Sequence, residues 1–188
     1  MDEELLSEHL EENKMLMEEA ITHLEGELMK IRTGKASPAM LSGLMVSYYG
    51  APTPLQQVAN VGTQDARTLT IQPFDKTAIG NIERAIFEAN MGVTPQNDGE
   101  LIRIIIPPLT EERRKQLAKQ VKAEGEKAKI VVRNVRRDAM EAIKKEVKNG
   151  YPEDAGKRKE DEVQGWVNSF NKKIEDHVES KENDVMTL

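Results

Sequence analysis

Residues 107–148 read PPLTEERRKQLAKQVKAEGEKAKIVVRNVRRDAMEAIKKEVK, and the interpretation of the whole chain starts from this stretch. Its apolar side chains recur every three or four positions, which is the period of one face of an α-helix. They are Leu117, Val121, Ala128, Val132, Val135, Ala139, Ile143 and Val147. The two prolines disfavour helix before them, while Thr110 can cap a helix whose positive end suits Glu111 and Glu112. The stretch therefore predicts one helix of more than about 35 residues.

Two further stretches have the same apolar period. In residues 2–31 it is carried by Leu10, Met17, Ala20, Ile21, Leu24, Leu28 and Ile31, and towards the C-terminus by Val163, Val167, Phe170, Ile174 and Val178. Residues 149–152, Asn-Gly-Tyr-Pro, end the long helix and separate it from the last one. Three long amphipathic helices are enough to form a bundle around one shared core.

Between the first and second helices the apolar pattern becomes short. The β-prone runs at 44–49, 55–61, 67–72 and 100–106 predict strands, and the turn-forming residues Gly50-Ala51-Pro52-Thr53-Pro54 follow the first of them. After a possible helix cap at Asp75, residues 75–90 place Ile79, Ile82, Ile86 and Phe87 at helical spacing. We therefore expect a small α+β domain in this part of the chain.

The order of these elements predicts an α+β protein with a small β/α/β domain inserted between helix 1 and helix 2 of a three-helix bundle. The bundle comprises residues 1–31 and 108–188, the small domain comprises residues 36–105, and the chain crosses between them at 32–35 and 106–107. Two short connections that contain Gly34 and the Pro107-Pro108 pair would permit a hinge while restricting its direction. The alternative is that these residues only terminate their elements.

The net charge of -6 is unevenly distributed along the chain. Residues 1–31 hold 2 Lys and Arg against 10 Asp and Glu, whereas residues 108–148 hold 13 against 7. An acidic total would argue against nucleic acid, but a basic block on one helix matters more for binding phosphate than the sum does. The second helix is therefore the candidate for a polyanionic partner.

Most cations of this helix fall on one side of it. At about 100° per residue, Lys115, Lys122, Lys129, Arg133 and Lys144 lie within a sector of roughly 60°, with Arg136 and Arg137 beside them. The apolar face is about 120° away, so we expect these cations to point outward and to bind phosphate. Arg133 and Arg136 are the best candidates, because the planar guanidinium fits phosphate oxygens. The alternative is that the basic helix complements the acidic helices within the bundle, or is a solvated face.

Catalytic and metal sites have little support in the sequence. The chain has no cysteine, which excludes disulfides and a thiolate nucleophile, and His9, His23 and His177 lack the spacing of metal ligands. Gly34-Lys35 lacks the setting of a phosphate-binding loop. We therefore expect no enzyme activity, metal or cofactor. The acidic N-terminus is unlike a signal peptide and no run is long enough to span a membrane, so we expect a cytoplasmic protein.

Four motifs in order along the chain resemble the ribosome recycling factor family. They are Lys30-Ile31-Arg32-Thr33-Gly34-Lys35-Ala36-Ser37-Pro38, Tyr48-Tyr49-Gly50-Ala51-Pro52-Thr53-Pro54-Leu55, Pro107-Pro108-Leu109-Thr110-Glu111-Glu112-Arg113-Arg114-Lys115 and Val132-Arg133-Asn134-Val135-Arg136-Arg137-Asp138-Ala139. The first departs from the family in having Lys35 where arginine is frequent. Residues 151–156 and 183–188 match only loosely.

The resemblance implies a tRNA-like L shape and a monomeric, non-enzymatic factor that binds the large ribosomal subunit across the aminoacyl and peptidyl sites. With elongation factor G, which binds the GTP, such a factor splits the post-termination ribosome so that it can be reused in protein biosynthesis. The family's RNA-contacting arginines correspond to Arg32, Arg114, Arg133 and Arg136, to which the charge stripe adds Lys122 and Lys129. The implied hinge comprises Arg32, Thr33, Gly34 and Lys35 with Ile106, Pro107 and Pro108.

Two other classes of function are compatible with the residues alone. One is a helical adaptor that binds a protein through its acidic faces, and the other is a hydrolase whose site is not evident from motifs. The sequence does not explain Gly125, which lies inside the long helix and should cost about 1 kcal/mol of helix stability relative to alanine.

Overall fold

The computed structural model describes residues 3–187 and contains two compact units. One consists of the chain up to Arg32 together with the residues from Glu111 onward, and the other is Thr33–Thr110. The first contains helices α1 (Glu3–Met29), α4 (Glu111–Lys148) and α5 (Glu153–Met186). The second contains six strands and two short helices, together with 3₁₀ turns at Pro38–Leu41 and Lys76–Ala78.

The three long helices pack against one another as their apolar period predicts. Every apolar residue named above for α1 is buried, and so is Ile31, two residues after its end. The predicted core positions of α4 and α5 are buried as well, with two exceptions. Val147 and Val178 are half-buried. At one end of the bundle Leu6 and Leu10 of α1 meet Ala139 and Ile143 of α4 and Val163 of α5. The α-helical part of the fold prediction is therefore confirmed.

Two glycines allow α4 and α5 to approach closely. A Cβ atom added at Gly125 would lie 2.5 Å from Cγ2 of Val178, and one added at Gly156 would lie 2.6 Å from Cγ2 of Val147. Both distances are shorter than van der Waals contact, so any side chain there would push the helices apart. The helix cost of Gly125, which the sequence left unexplained, is thus offset by close packing against α5.

The second unit has a four-stranded antiparallel sheet and a separate hairpin. The sheet contains β3 (Ala59–Asp65), β4 (Thr68–Pro73), β5 (Pro95–Asn97) and β6 (Ile102–Ile105) in the order β3-β4-β6-β5. The hairpin pairs β1 (Met45–Tyr48) with β2 (Ala51–Pro54), and α3 (Ile79–Glu88) packs against β1. Inward-facing residues from the sheet, hairpin and α3 share one core that includes Val46, Leu69, Ile71, Ile82, Ile86, Ile102 and Ile104.

Several details predicted for the second unit were wrong. Residues 55–58 form the helical turn α2 (Leu55–Val58), and the strand expected from Leu55 begins at Ala59. The reason is that Leu55 and Val58 are both buried, which three-residue spacing achieves on a helical turn and not on a strand. Phe87, expected on the apolar face of α3, is 55% exposed. Residues 51–54, which were expected to be part of a turn, form a strand that pairs with β1. The turn needs only Tyr49 and Gly50, whose φ angles are 49° and 78°.

The ends of the second unit are both attached to the turn between β3 and β4. The backbone N–H of Ala36 donates to the carbonyl of Ala66 at 2.7 Å, and the N–H of Ile106 donates to the carbonyl of Arg67 at 2.7 Å. Gly34 has a φ of +77°, which favours glycine, and a Cβ there would lie 3.2 Å from Cγ of Leu109. The two segments that enter and leave this unit are therefore neighbours within it.

Candidate nucleic-acid interface

The cations of α4 are distributed over two different surfaces, although a helical projection places most of them in one stripe. Arg133 is exposed, and no described residue between 3 and 187 forms a hydrogen bond or an ion pair with its guanidinium. Lys115 is exposed and lies 3.3 Å from Glu111 one turn earlier. Lys119 and Arg137 are also exposed. We refer to Lys115, Lys119, Arg133 and Arg137 as the outer row, although Arg137 also reaches the edge of the seam between α4 and α5.

Two of the predicted phosphate contacts lie instead in the seam between α4 and α5. Lys129 is half-buried, and its Nζ is 3.4 Å from Oε1 of Glu175. Arg136 is half-buried as well, and its Nε donates to Oε1 of Gln164 at 2.8 Å. The expectation that the whole stripe points away from the bundle was therefore wrong for these two residues. A helical projection gives the angle of a side chain but not the position of the neighbouring helix.

The seam has two shallow depressions with mixed charge. One, of about 460 Å³, brings Lys122 and Lys129 together with four carboxylates, over a floor of Gly125, Ile174 and Val178. The carboxylates belong to Glu126, Glu175, Glu179 and Glu182. The other, of about 440 Å³, holds three cations and three carboxylates. Its residues are Arg136, Arg137, Met140, Glu141, Lys144, Glu160, Asp161 and Gln164. Phosphate would be repelled more strongly from the first depression than from the outer row, because carboxylates outnumber lysines there.

The remaining predicted contacts, Arg32 and Arg114, lie close in sequence to the chain boundaries of the first unit. Arg114 is in the first turn of α4 and is half-buried, and Arg32, which follows α1, is exposed and has a partner within the structure. The predicted hinge residues differ in environment. Ile106 is buried, Thr33 and Gly34 are half-buried, and Lys35, Pro107 and Pro108 are exposed.

Two of the three histidines make contacts between helices, and the third, His23, is exposed. His9 on α1 has Nε2 at 2.9 Å from Oδ2 of Asp138 on α4, and the same oxygen accepts a hydrogen bond from Asn13. His177 on α5 has Nε2 at 3.1 Å from Oε1 of Glu25 on α1. Among residues 3–187, no group of three or more acidic or histidine side chains could hold a metal ion. His9 and His177 therefore connect the helices to one another.

In the second unit, the turn between β5 and β6 is organised by Asp98. Its carboxylate accepts hydrogen bonds from the backbone N–H groups of Leu101 and Glu100 and from Arg103 Nη1 at 2.8 Å. Together these donors lower the pKa of Asp98 to about 2, with the backbone groups making the larger contributions. Asp75 similarly accepts from Thr77 and from the hydroxyl of Tyr49, which lowers its pKa. These carboxylates stabilise turns.

Two residues of this surface were missed by the sequence argument. Lys119 is four turns before Arg133 on α4, so helical spacing could have found it. Gln164 is on a different helix, and no signal in the sequence places its amide against Arg136.

Across the described residues 3–187, no helix is long and apolar enough to cross a membrane.

Comparison with known proteins gives one consistent result. Residues 24–186 match the family model described as ribosome recycling factor. The ribosome-recycling factor of Christiangramia forsetii is 56% identical over 179 residues, which are 95% of this chain and 96% of that protein. The corresponding protein of Porphyromonas gingivalis is 50% identical over 173 residues, or 92% and 93% of the two chains.

Solved structures agree with this result. A solution structure of the ribosome recycling factor superposes with a TM-score of 0.78 at 34% identity and covers 100% of both chains. A second match has a TM-score of 0.63 at 41% identity and covers 96% of this chain and 98% of the other. It comes from models of the Thermus thermophilus ribosome recycling factor and Escherichia coli elongation factor G bound to the E. coli post-termination complex.

Proposed function

The chain belongs to the ribosome recycling factor family and functions in ribosome recycling, and from that premise we propose how it does so. It binds the large ribosomal subunit through rRNA phosphates that contact the outer row of α4. Together with elongation factor G and GTP, it then splits the post-termination ribosome into subunits after translation termination. The partner in this step follows from the related structure with elongation factor G on a post-termination complex.

The observation that carries the rRNA interface is the environment of Arg133. It is an exposed arginine that has no hydrogen-bond or ion-pair partner among the described residues 3–187, and it belongs to the outer row on a helix of 38 residues. Phosphate contacts need positive charge that is not already neutralised, and a guanidinium offers two parallel donors to a phosphate. Arg133 meets both conditions, and Lys115, Lys119 and Arg137 extend the same surface.

The other predicted contacts contribute differently to this interface. Arg114 adds positive charge in the first turn of α4, and Arg32 adds it after the end of α1. Arg136 presents the part of its guanidinium that does not bind Gln164. Lys122 and Lys129 lie among four carboxylates, so their main effect is to balance those charges. We therefore rank them below the arginines as contacts to rRNA.

The factor acts mechanically and is not an enzyme. Elongation factor G hydrolyses the GTP, and the chain contributes the helical bundle that occupies the ribosome. In this role the chain is a cytoplasmic factor that needs no cofactor. A hinge formed by Arg32, Thr33, Gly34 and Lys35 with Ile106, Pro107 and Pro108 would let the second unit move. The backbone N–H groups of Ala36 and Ile106 are hydrogen-bonded to the turn at 66–67. These two residues would therefore form the boundary between the hinge and the second unit.

The test is light scattering of post-termination ribosomes mixed with the protein, elongation factor G and GTP. We expect a decrease in scattering that requires every component and that is slower with Arg133→Ala. Lys172→Ala is the matched control, because Lys172 is an exposed cation on α5 that pairs with Asp176. A normal rate with Arg133→Ala would show that Arg133 is not an rRNA contact. No decrease with the wild-type protein and active partners would refute the recycling function.

A further inference from the structure

Arg136 is held by a chain of neutral side chains on the neighbouring helix. Its Nε donates to Oε1 of Gln164 at 2.8 Å, and Nε2 of Gln164 donates to Oδ1 of Asn168 at 2.9 Å. Because Asn168 accepts from the nitrogen of the Gln164 amide, the amide oxygen is the atom that faces Arg136. Asn168 is one turn after Gln164 on α5, so the two amides lie on the same face of that helix.

This arrangement uses only one of the five N–H donors of the guanidinium. Within the described residues 3–187, Nε of Arg136 has a partner, whereas neither Nη1 nor Nη2 forms a hydrogen bond or an ion pair. The two Nη groups form the end of the guanidinium that binds phosphate oxygens. The bond to Gln164 therefore fixes the plane of the group and leaves its phosphate-binding end available.

The partner is neutral even though carboxylates are close by. Glu160 and Asp161 line the same depression, four and three residues before Gln164 on α5. A carboxylate side chain at position 164 would form an ion pair with Arg136 and neutralise its charge, as Glu175 does for Lys129. An amide accepts the same hydrogen bond without supplying a negative charge. The guanidinium thus keeps its positive charge in a fixed orientation.

We infer that Gln164, oriented by Asn168, is a positioning residue for Arg136 in the binding of rRNA phosphate. The inference rests on the proposed rRNA interface and adds to it a residue that does not itself contact RNA. Holding a long side chain in its bound geometry before binding removes the entropic cost of ordering it later. Losing that restraint at one arginine should weaken binding by about three- to tenfold.

The experiment is a double-mutant cycle on the affinity of the full-length protein for purified large ribosomal subunits. It compares wild type, Arg136→Ala, Gln164→Met and the double variant at one fixed salt concentration. Methionine keeps the length of the glutamine side chain and removes the hydrogen-bond acceptor. We expect Gln164→Met to weaken binding three- to tenfold when Arg136 is present, by the estimate above, and to have no further effect when Arg136 is alanine. Asn168→Ala should produce a smaller loss with the same dependence on Arg136.

Each alternative outcome overturns the inference in a distinguishable way. An equal loss from Gln164→Met in both backgrounds would mean that Gln164 supports the bundle and does not act through Arg136. Unchanged affinity of Gln164→Met, with weakened Arg136→Ala, would refute positioning and leave the rRNA interface intact. Unchanged affinity of Arg136→Ala would remove Arg136 from the interface and the role of Gln164 with it. Gln120→Met, the same change at an exposed glutamine elsewhere on α4, should bind as wild type.

Discussion

Replacing Gly125 by alanine should destabilise the bundle, although alanine is the better helix former. In the middle of a helix, glycine to alanine gains about 1 kcal/mol from helix propensity alone. At Gly125 the new methyl group would lie 2.5 Å from Cγ2 of Val178, about 1 Å inside normal contact. Overpacking of this kind costs about 1–3 kcal/mol in a well-packed core. The overlap is severe and both partners lie on rigid helices, so we expect a net loss of about 1–2 kcal/mol.

The measurement is thermal unfolding followed by far-ultraviolet circular dichroism, which in this protein is dominated by the three long helices. A loss of about 1–2 kcal/mol corresponds to a decrease in Tm of roughly 2–8 °C for a chain of this size. The two units need not unfold together, so the transition to compare is the one that carries most of the helical signal. Denaturant unfolding of the same variant gives the free energy directly.

Two further variants make this prediction specific. Gly165→Ala is the matched control, because Gly165 is in the interior of α5. Apart from its chain neighbours and the backbone of its own helix, no atom of the described residues lies within 4 Å of a Cβ added there. It should raise stability by up to about 1 kcal/mol. Val178→Ala combined with Gly125→Ala should recover part of the loss, since the smaller residue makes room for the methyl group. If Gly125→Ala were as stable as wild type, the close packing inferred at this position would be wrong.

Two other predictions follow from the hydrogen bonds described above. Arg136→Ala should lower the free energy of unfolding, measured by urea denaturation, by about 1 kcal/mol, because the hydrogen bond to Gln164 is lost. Arg133→Ala, at an exposed position, should change it by less than about 0.5 kcal/mol. Equal losses of stability in the two variants would contradict the position of Arg136 in the seam. The pKa of Asp98 in the folded protein is about 2, which is below its ordinary value of 3.8. Its carboxylate therefore stabilises the second unit at pH values above about 4, and this stabilisation is lost as the pH falls from about 4 to 2. Unfolding measured by hydrogen exchange or near-ultraviolet signals should therefore depend less on pH in that window for Asp98→Ala, and an unchanged dependence would remove Asp98 as the cause.

The sequence determined the parts of this protein that depend on local spacing. Apolar residues every three or four positions predicted α1, α4 and α5 and nearly all of their buried residues, because a helix that must cover one side of a core has to repeat at its own period. The uneven charge likewise identified α4 as the basic helix. Four motifs that resemble a known family indicated ribosome recycling, and the comparisons confirm that family.

The tertiary structure decided what depends on a neighbour distant in the chain. Leu55 to Val58 are β-prone by composition, yet their burial against the second unit's core requires a helical turn. Arg136 and Lys129 have the helical angle of a solvent-facing stripe, yet α5 covers that side of α4 and supplies Gln164 and Glu175 as partners. Gly125 is a defect in an isolated helix and a requirement for close packing beside Val178. In each case the local period specifies the direction of a side chain, and only the packing of another element specifies what the side chain meets.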